Sequence, residues 1–119
     1  MVSAQSEFPE AGDLYWLDFG AAGGHEQAGR RPALVVSSRT YNASSSFVVV
    51  CPVTRQEKPW PYKVPLTAES VISGFVLVDQ VRSVDRRQRL YRFGGRASQE
   101  SLNEVRSVLA SILGIPVPS

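Results

Sequence analysis

Ser46-Phe47-Val48-Val49-Val50-Cys51-Pro52-Val53-Thr54 is a continuous apolar run dense in β-branched side chains. Branching at Cβ stiffens these residues and suits them to a pleated backbone. A run this short, bounded by polar residues, predicts a strand buried in a sheet. Pro32-Ala33-Leu34-Val35-Val36-Ser37-Ser38 predicts another, opened by proline. Before it, Gly12-Asp13-Leu14-Tyr15-Trp16-Leu17-Asp18-Phe19 is aromatic-rich and ends at glycines, a first strand followed by a loop from Gly20 to Gly29. On the other side lies Lys63-Val64-Pro65-Leu66, an edge strand because Pro65 has no N–H to give to a ladder. Gly74-Phe75-Val76-Leu77-Val78-Asp79-Gln80-Val81 is a stronger strand, and Arg89-Leu90-Tyr91-Arg92-Phe93 alternates before stopping at Gly94-Gly95.

One helix closes the chain. Ser98 is placed to cap it, and Glu100 suits the positive end of its dipole. Leu102, Val105, Leu109 and Ile112 share a face, and Gly114 with Pro116 ends it. Five to seven short strands and one terminal helix lack the crossovers that a parallel sheet needs. The economical fold is α+β, mainly β: a small SH3-like curled antiparallel barrel with a C-terminal helix. Residues 1–119 form a single domain, with 1–10 and 115–119 expected to be loose.

At 119 residues, 43% of them hydrophobic and 20% charged, the composition is that of an ordinary globular domain. Cys51 is the only cysteine and has apolar neighbours, so it reads as a small buried hydrophobe with no internal disulfide. The first residues have neither a basic start nor an apolar stretch, and no run is long enough to span a bilayer, so a cytoplasmic protein without membrane contact is expected. Asn42-Ala43-Ser44 matches a glycosylation sequon, which has no meaning in that compartment. The net charge of +2 says little, but Arg82, Arg86, Arg87, Arg89, Arg92 and Arg96 are opposed only by Asp85. Arginine both forks onto phosphate and stacks on bases; the alternative is a solvated strand-and-turn surface.

Several chemistries are excluded. His25 is the only histidine, so neither a two-histidine acid–base pair nor a histidine-rich metal site can form within one chain. No nucleophile elbow or phosphate-binding P-loop is present. Asp13 and Asp18 share a strand at an odd spacing and point to opposite faces, so a two-carboxylate or two-metal site has no support, and Asp18 reads as a structural partner of an arginine. The surviving chemistry is one in which the substrate brings its own nucleophile. RNA does so, because its 2′-hydroxyl adjoins the phosphodiester, and arginines and hydroxyls can brace the growing charge.

Four segments, in order along the chain, carry a resemblance to a known family. They are Gly12–Phe19, Gly24-His25-Glu26-Gln27-Ala28-Gly29-Arg30-Arg31-Pro32-Ala33-Leu34-Val35, Pro52-Val53-Thr54, and Val76-Leu77-Val78-Asp79-Gln80-Val81-Arg82-Ser83-Val84-Asp85. Together they resemble the MazF/PemK toxins, the metal-independent endoribonucleases (mRNA interferases) of bacterial type II toxin–antitoxin systems. The resemblance implies catalysis by Arg31, in proton transfer and phosphate stabilisation, by Thr54, bonding the scissile phosphate, and by Glu26, shaping the site. It implies an RNA-binding set of Arg30, His25, Gln27, Arg55, Gln56, Trp60, Asp79, Gln80, Arg82 and Arg86. It further implies single-stranded RNA (mRNA) as substrate, 2′,3′-cyclic phosphate and 5′-hydroxyl products, no cofactor and no metal. The implied partners are a cognate antitoxin with an acidic disordered segment and a second copy in a homodimer.

Two segments depart from the family pattern. Glu57-Lys58-Pro59-Trp60-Pro61-Tyr62 carries a tryptophan where relatives have a small residue, and Asp85-Arg86-Arg87-Gln88-Arg89 lacks a tryptophan that commonly follows this aspartate. Trp60 either stacks a base or packs down beside Tyr62, while Trp16 and Phe19 read as core or dimer contacts. Two rival functions remain at the level of sequence: a non-catalytic gyrase-poisoning toxin of the same fold, and a non-catalytic RNA-binding barrel.

Overall fold

The computed structural model describes residues 8–20 and 29–116. Seven strands form one antiparallel sheet: β1 (Asp13–Asp18), β2 (Arg30–Val35), β3 (Phe47–Thr54), β4 (Lys63–Pro65), β5 (Phe75–Leu77), β6 (Arg82–Asp85) and β7 (Leu90–Arg96). The order is β4-β5-β3-β2-β1-β7, with β6 also paired to β3. The expected small antiparallel sheet with its C-terminal helix is present, but the sheet stays open, because β4 and β7 at its two ends do not pair.

β2 and β3 read as unbroken apolar runs because both their faces are buried. Leu34, Cys51 and Val53 face one core cluster, and Ala33, Val35, Val48 and Val50 face the other. The period of two thus sorts neighbours along one strand into opposite cores. The first cluster is covered by α3 (Gln99–Leu113), whose Leu102 and Val105 are buried in it. Ser98 caps α3 by accepting from the Ser101 N–H, Glu100 lies in the first turn, and Gly114 closes the helix in the left-handed region at φ 70°. The expected apolar face runs out before the helix does: Ile112 is 37% exposed.

Other differences have local causes. Instead of one helix the described residues form three: α1 (Arg39–Ser44), capped by Ser38, and α2 (Arg86–Arg89), capped by Asp85, precede α3. The expected strand over 74–81 is cut short at Leu77, turns through a 3-10 turn at Val78–Gln80, and resumes as β6. β5 pairs with Val53 and Thr54, β6 with Phe47 to Val50, and the interruption falls opposite Cys51 and Pro52. Pro52 has no N–H to bind a continuing partner there. β7 does not stop at Gly94-Gly95 but runs to Arg96, with register shifts against β1 and Gly95 at φ +108°. In the segment expected to be loose, the Pro9 carbonyl accepts from Asn42 Nδ2 at 2.8 Å and the Glu10 N–H donates to Asp13. Cys51 is buried as expected, and burial pushes its thiol pKa up to about 12. Among the described residues, no helix is long and apolar enough to cross a membrane.

Candidate active site

The pairing of β2 with β3 ends at Ala33 opposite Pro52. Two residues beyond that last pair come Arg31 on β2 and Thr54 on β3, and both line an open groove of about 840 Å³. Trp16, Arg30, Arg31, Thr54, Arg55 and Gln56 line it, together with Pro32, Val53 and the Val71–Ser73 segment. Three arginines therefore line the groove with one threonine, although the Arg30 guanidinium lies over the Tyr91 ring at 4.9 Å, and the described lining contains no carboxylate.

Thr54 is only 5% exposed, yet it lines the groove. Its Oγ1 accepts from the Gln56 N–H at 3.2 Å. With a lone pair engaged by the backbone, the hydroxyl hydrogen is the part left to offer a ligand. Behind Thr54, Gly74 approaches so closely that a Cβ there would lie 2.5 Å from the Thr54 carbonyl oxygen. The groove's outer wall is seated on a second glycine, since a Cβ at Gly94 would meet Ile72 Cδ1 at 2.7 Å.

A second recess, of about 440 Å³, adjoins the first and shares Thr54 and Gln56 with it. Lys58, Trp60, Lys63, Asp79 and Gln80 line the remainder together with Pro59 and Leu77. Lys63 Nζ donates to the carbonyls of Gln56 at 2.8 Å and Lys58 at 2.6 Å, pinning the segment between β3 and β4. Trp60 is 50% exposed, donates from Nε1 to Asp79 Oδ2 at 3.1 Å, and meets Tyr62 edge-on at 5.7 Å. It therefore packs beside Tyr62 and remains available at the surface.

Of the residues expected from the sequence, Arg30, Arg31, Thr54, Arg55 and Gln56 meet in the groove, and Trp60, Asp79 and Gln80 in the adjoining recess. His25, Glu26 and Gln27 lie outside the described residues. Arg82 and Arg86 are not brought to either cavity. Arg86 binds the Ser45 carbonyl and lies over Phe8, at the far end of β3 from Thr54. An eight-residue strand separates those ends by roughly 23 Å. Arg82 lies over the Phe19 ring at 5.6 Å.

The arginine-rich stretch is thus largely spent on structure. Of its arginines, Arg92 reaches the groove's lining, over the Trp16 ring at 5.4 Å. Phe19 is core, and Trp16 packs against the other core cluster as expected while also lining the groove. The ion pair expected of Asp18 belongs to Asp13, with Arg96; Asp18 instead accepts from the Gly20 N–H at 2.8 Å. Sequence reasoning missed Lys58, Lys63 and the Val71–Ser73 wall. The one available signal was Gly74, which ends that wall.

Comparison with known proteins places the fold in a toxin class. The profile of the PemK-like, MazF-like toxins of type II toxin–antitoxin systems matches residues 10–113. The endoribonuclease toxin MazF of Escherichia coli K12 is 36% identical over 106 residues, spanning 89% of this chain and 95% of that one. A crystal structure of MazF from Deinococcus radiodurans superposes with a TM-score of 0.82 and 45% identity, covering 90% of this chain and 97% of the other. MazF in a MazE–MazF crystal structure from the same organism gives a TM-score of 0.78 and 41% identity, covering 92% and 98%. The chain belongs to the PemK-like, MazF-like toxin family.

Proposed function

We propose that this chain is an endoribonuclease toxin that cuts single-stranded RNA at preferred sequences by using the substrate's own 2′-hydroxyl. The observation that carries this is the convergence of Arg31 and Thr54, flanked by Arg30 and Arg55, in one groove whose described lining lacks carboxylates. Relatives named as endoribonuclease toxins support it. In the reaction the 2′-oxygen bonds to phosphorus and the bond to the 5′-oxygen breaks. The 2′ proton is given up and the departing oxygen gains one, leaving a 2′,3′-cyclic phosphate and a 5′-hydroxyl. Arg31 and Thr54 donate to the non-bridging oxygens as charge accumulates, a preorganised arrangement whose value rises where water is excluded. The family resemblance assigns proton transfer to Arg31 and the shaping of the site to Glu26. No metal enters this scheme.

The active species in this reading is a cytoplasmic homodimer, to be checked by light scattering on the purified chain. A cognate antitoxin is supported by the MazE–MazF neighbour, and in this reading its acidic, disordered segment occupies the same arginine-lined groove. Its affinity falls with salt, because it replaces counterions as RNA does. The deciding experiment incubates the purified chain with a long unstructured RNA in EDTA. Discrete fragments with cyclic-phosphate ends support the reading. A requirement for a divalent ion, or equal cutting of DNA, overturns it. Supercoiling inhibition without cleavage would mark a gyrase poison instead.

A further inference from the structure

We propose that the recess walled by Trp60 and Asp79 is a nucleobase subsite that selects a base bearing an exocyclic amino group. It thereby helps to set where the chain cuts. The proposal rests on the reading that the substrate is single-stranded RNA. The recess shares Thr54 and Gln56 with the main groove. The recess is thus close enough for a strand whose phosphate sits at Thr54 to place a neighbouring base in it.

The chemistry of the walls then decides what fits. Trp60 is fixed in two places, through Nε1 to Asp79 and edge-on against Tyr62, yet half its surface stays open. A large flat ring held in one orientation but left uncovered costs little further ordering when a base stacks on it. Asp79 offers only acceptors. Oδ2 takes the indole N–H, and the other oxygen accepts no hydrogen bond among the described residues. Lys63 does not neutralise it, being turned to the carbonyls of Gln56 and Lys58. A bare carboxylate repels phosphate and accepts from an amino group, as aspartate does from cytosine N4 in groove recognition. Uracil presents its N3–H between two carbonyls, so its edge meets the carboxylate with repulsion on both sides.

The test has two arms. In the first, a randomised single-stranded RNA pool is digested with the wild-type chain, Trp60→Ala, Trp60→Phe and Asp79→Asn, and the ends are sequenced. Near the cut, one position should be enriched in amino-bearing bases and depleted in uracil. Trp60→Ala should flatten that preference, Trp60→Phe should keep most of it, and Asp79→Asn should admit uracil. In the second arm, the tryptophan emission lost in Trp60→Ala, which retains only Trp16, isolates the signal of Trp60. Its fluorescence then reports binding of uncleavable 2′-O-methyl oligomers of A, C or U. The A and C oligomers should quench it more than U. Trp60→Ala should weaken binding by about 5- to 150-fold, the loss of one base stack. Unchanged site preference and affinity in Trp60→Ala, or equal quenching by all three oligomers, overturns the subsite. If the wild type leaves the pool intact, it is the endoribonuclease reading that fails, and the quenching arm still decides whether the recess binds bases.

Discussion

Thr54 is gripped from several sides at once. Its hydroxyl accepts from Gln56, its backbone pairs with Phe75 on β5, and its carbonyl abuts Gly74. Gly74 has φ +136°, a conformation closed to side chains, and has no room for a methyl group. Gly74→Ala must therefore push Thr54 out of place. A displacement near 1 Å costs about 10²-fold in rate, so kcat on an RNA substrate should fall by about that factor with the main groove's arginines intact. Removing the donors themselves should cost more. Arg31→Ala and Thr54→Val should each lower kcat by about 10²–10³-fold, the usual loss of one preorganised donor, while circular dichroism stays native. Near-normal turnover in either variant removes that side chain from the mechanism. Arg31 and Thr54 were visible in the sequence through the basic pair before Pro32 and the Pro52-Val53-Thr54 end of an apolar run. The role of Lys63 was not, because its partners are backbone carbonyls and any sequence could supply those.

Among the elements, β3 organises the sheet, and one proline explains its unusual neighbours. β5 and β6 share a single edge of β3 on either side of the gap facing Cys51 and Pro52, and the 3-10 turn places Asp79 and Gln80 in the recess. The apolar runs announced β2, β3 and β5, because burial on both faces leaves no polar alternation to misread. The split between β5 and β6 escaped notice because Gly74 to Val81 has one continuous pattern and the break is imposed from across the sheet. β1 and β7 are locked at one end by Asp13 and Arg96. Asp13 is 1% exposed and also accepts from the Glu10 N–H, while Arg96 Nη2 reaches the Ala11 carbonyl at 3.3 Å. Asp13→Asn should destabilise the chain by about 1.5–3 kcal/mol, the worth of a hydrogen bond to a charged group, measured by urea unfolding. Burial is the largest influence on this carboxyl and raises its pKa, against the opposing pull of Arg96. The folded state thus holds the proton more tightly than the unfolded one. Asp13's contribution is full below the ordinary carboxylate pKa of about 3.9 and declines as pH rises through the raised value. The stability gap to Asp13→Asn should therefore be wider in acid than at neutral pH.

For the molecule as a whole, the small net charge conceals an uneven distribution of work. Arginines that look alike in the sequence divide between the groove, aromatic faces and one ion pair. Counting them could not reveal that division, since it depends on which aromatic ring folds beneath each one. Cys51 offers a probe of global opening. With its pKa near 12 and no exposed surface, the thiol should resist iodoacetamide in the native state. Labelling should appear only with cooperative unfolding, and mass spectrometry after graded urea would show it; rapid modification of the folded chain would contradict the described burial.

The open sheet has three free margins among the described residues; β6, paired only to β3, is four residues long and begins at Arg82, and the other two are also unsuited to recruiting another strand. One is β4, three residues long and ended by Pro65, whose ring withholds a donor. The other is β7, kinked by its register shifts, preceded by Arg89 and carrying Arg92 and Arg96. A polypeptide released from the ribosome at high copy number is in danger of amyloid-like stacking wherever a flat, bare border survives folding. Here the borders are blunted by proline, bends and positive charge, so the price of leaving a cleft open for a ligand is not paid in insolubility.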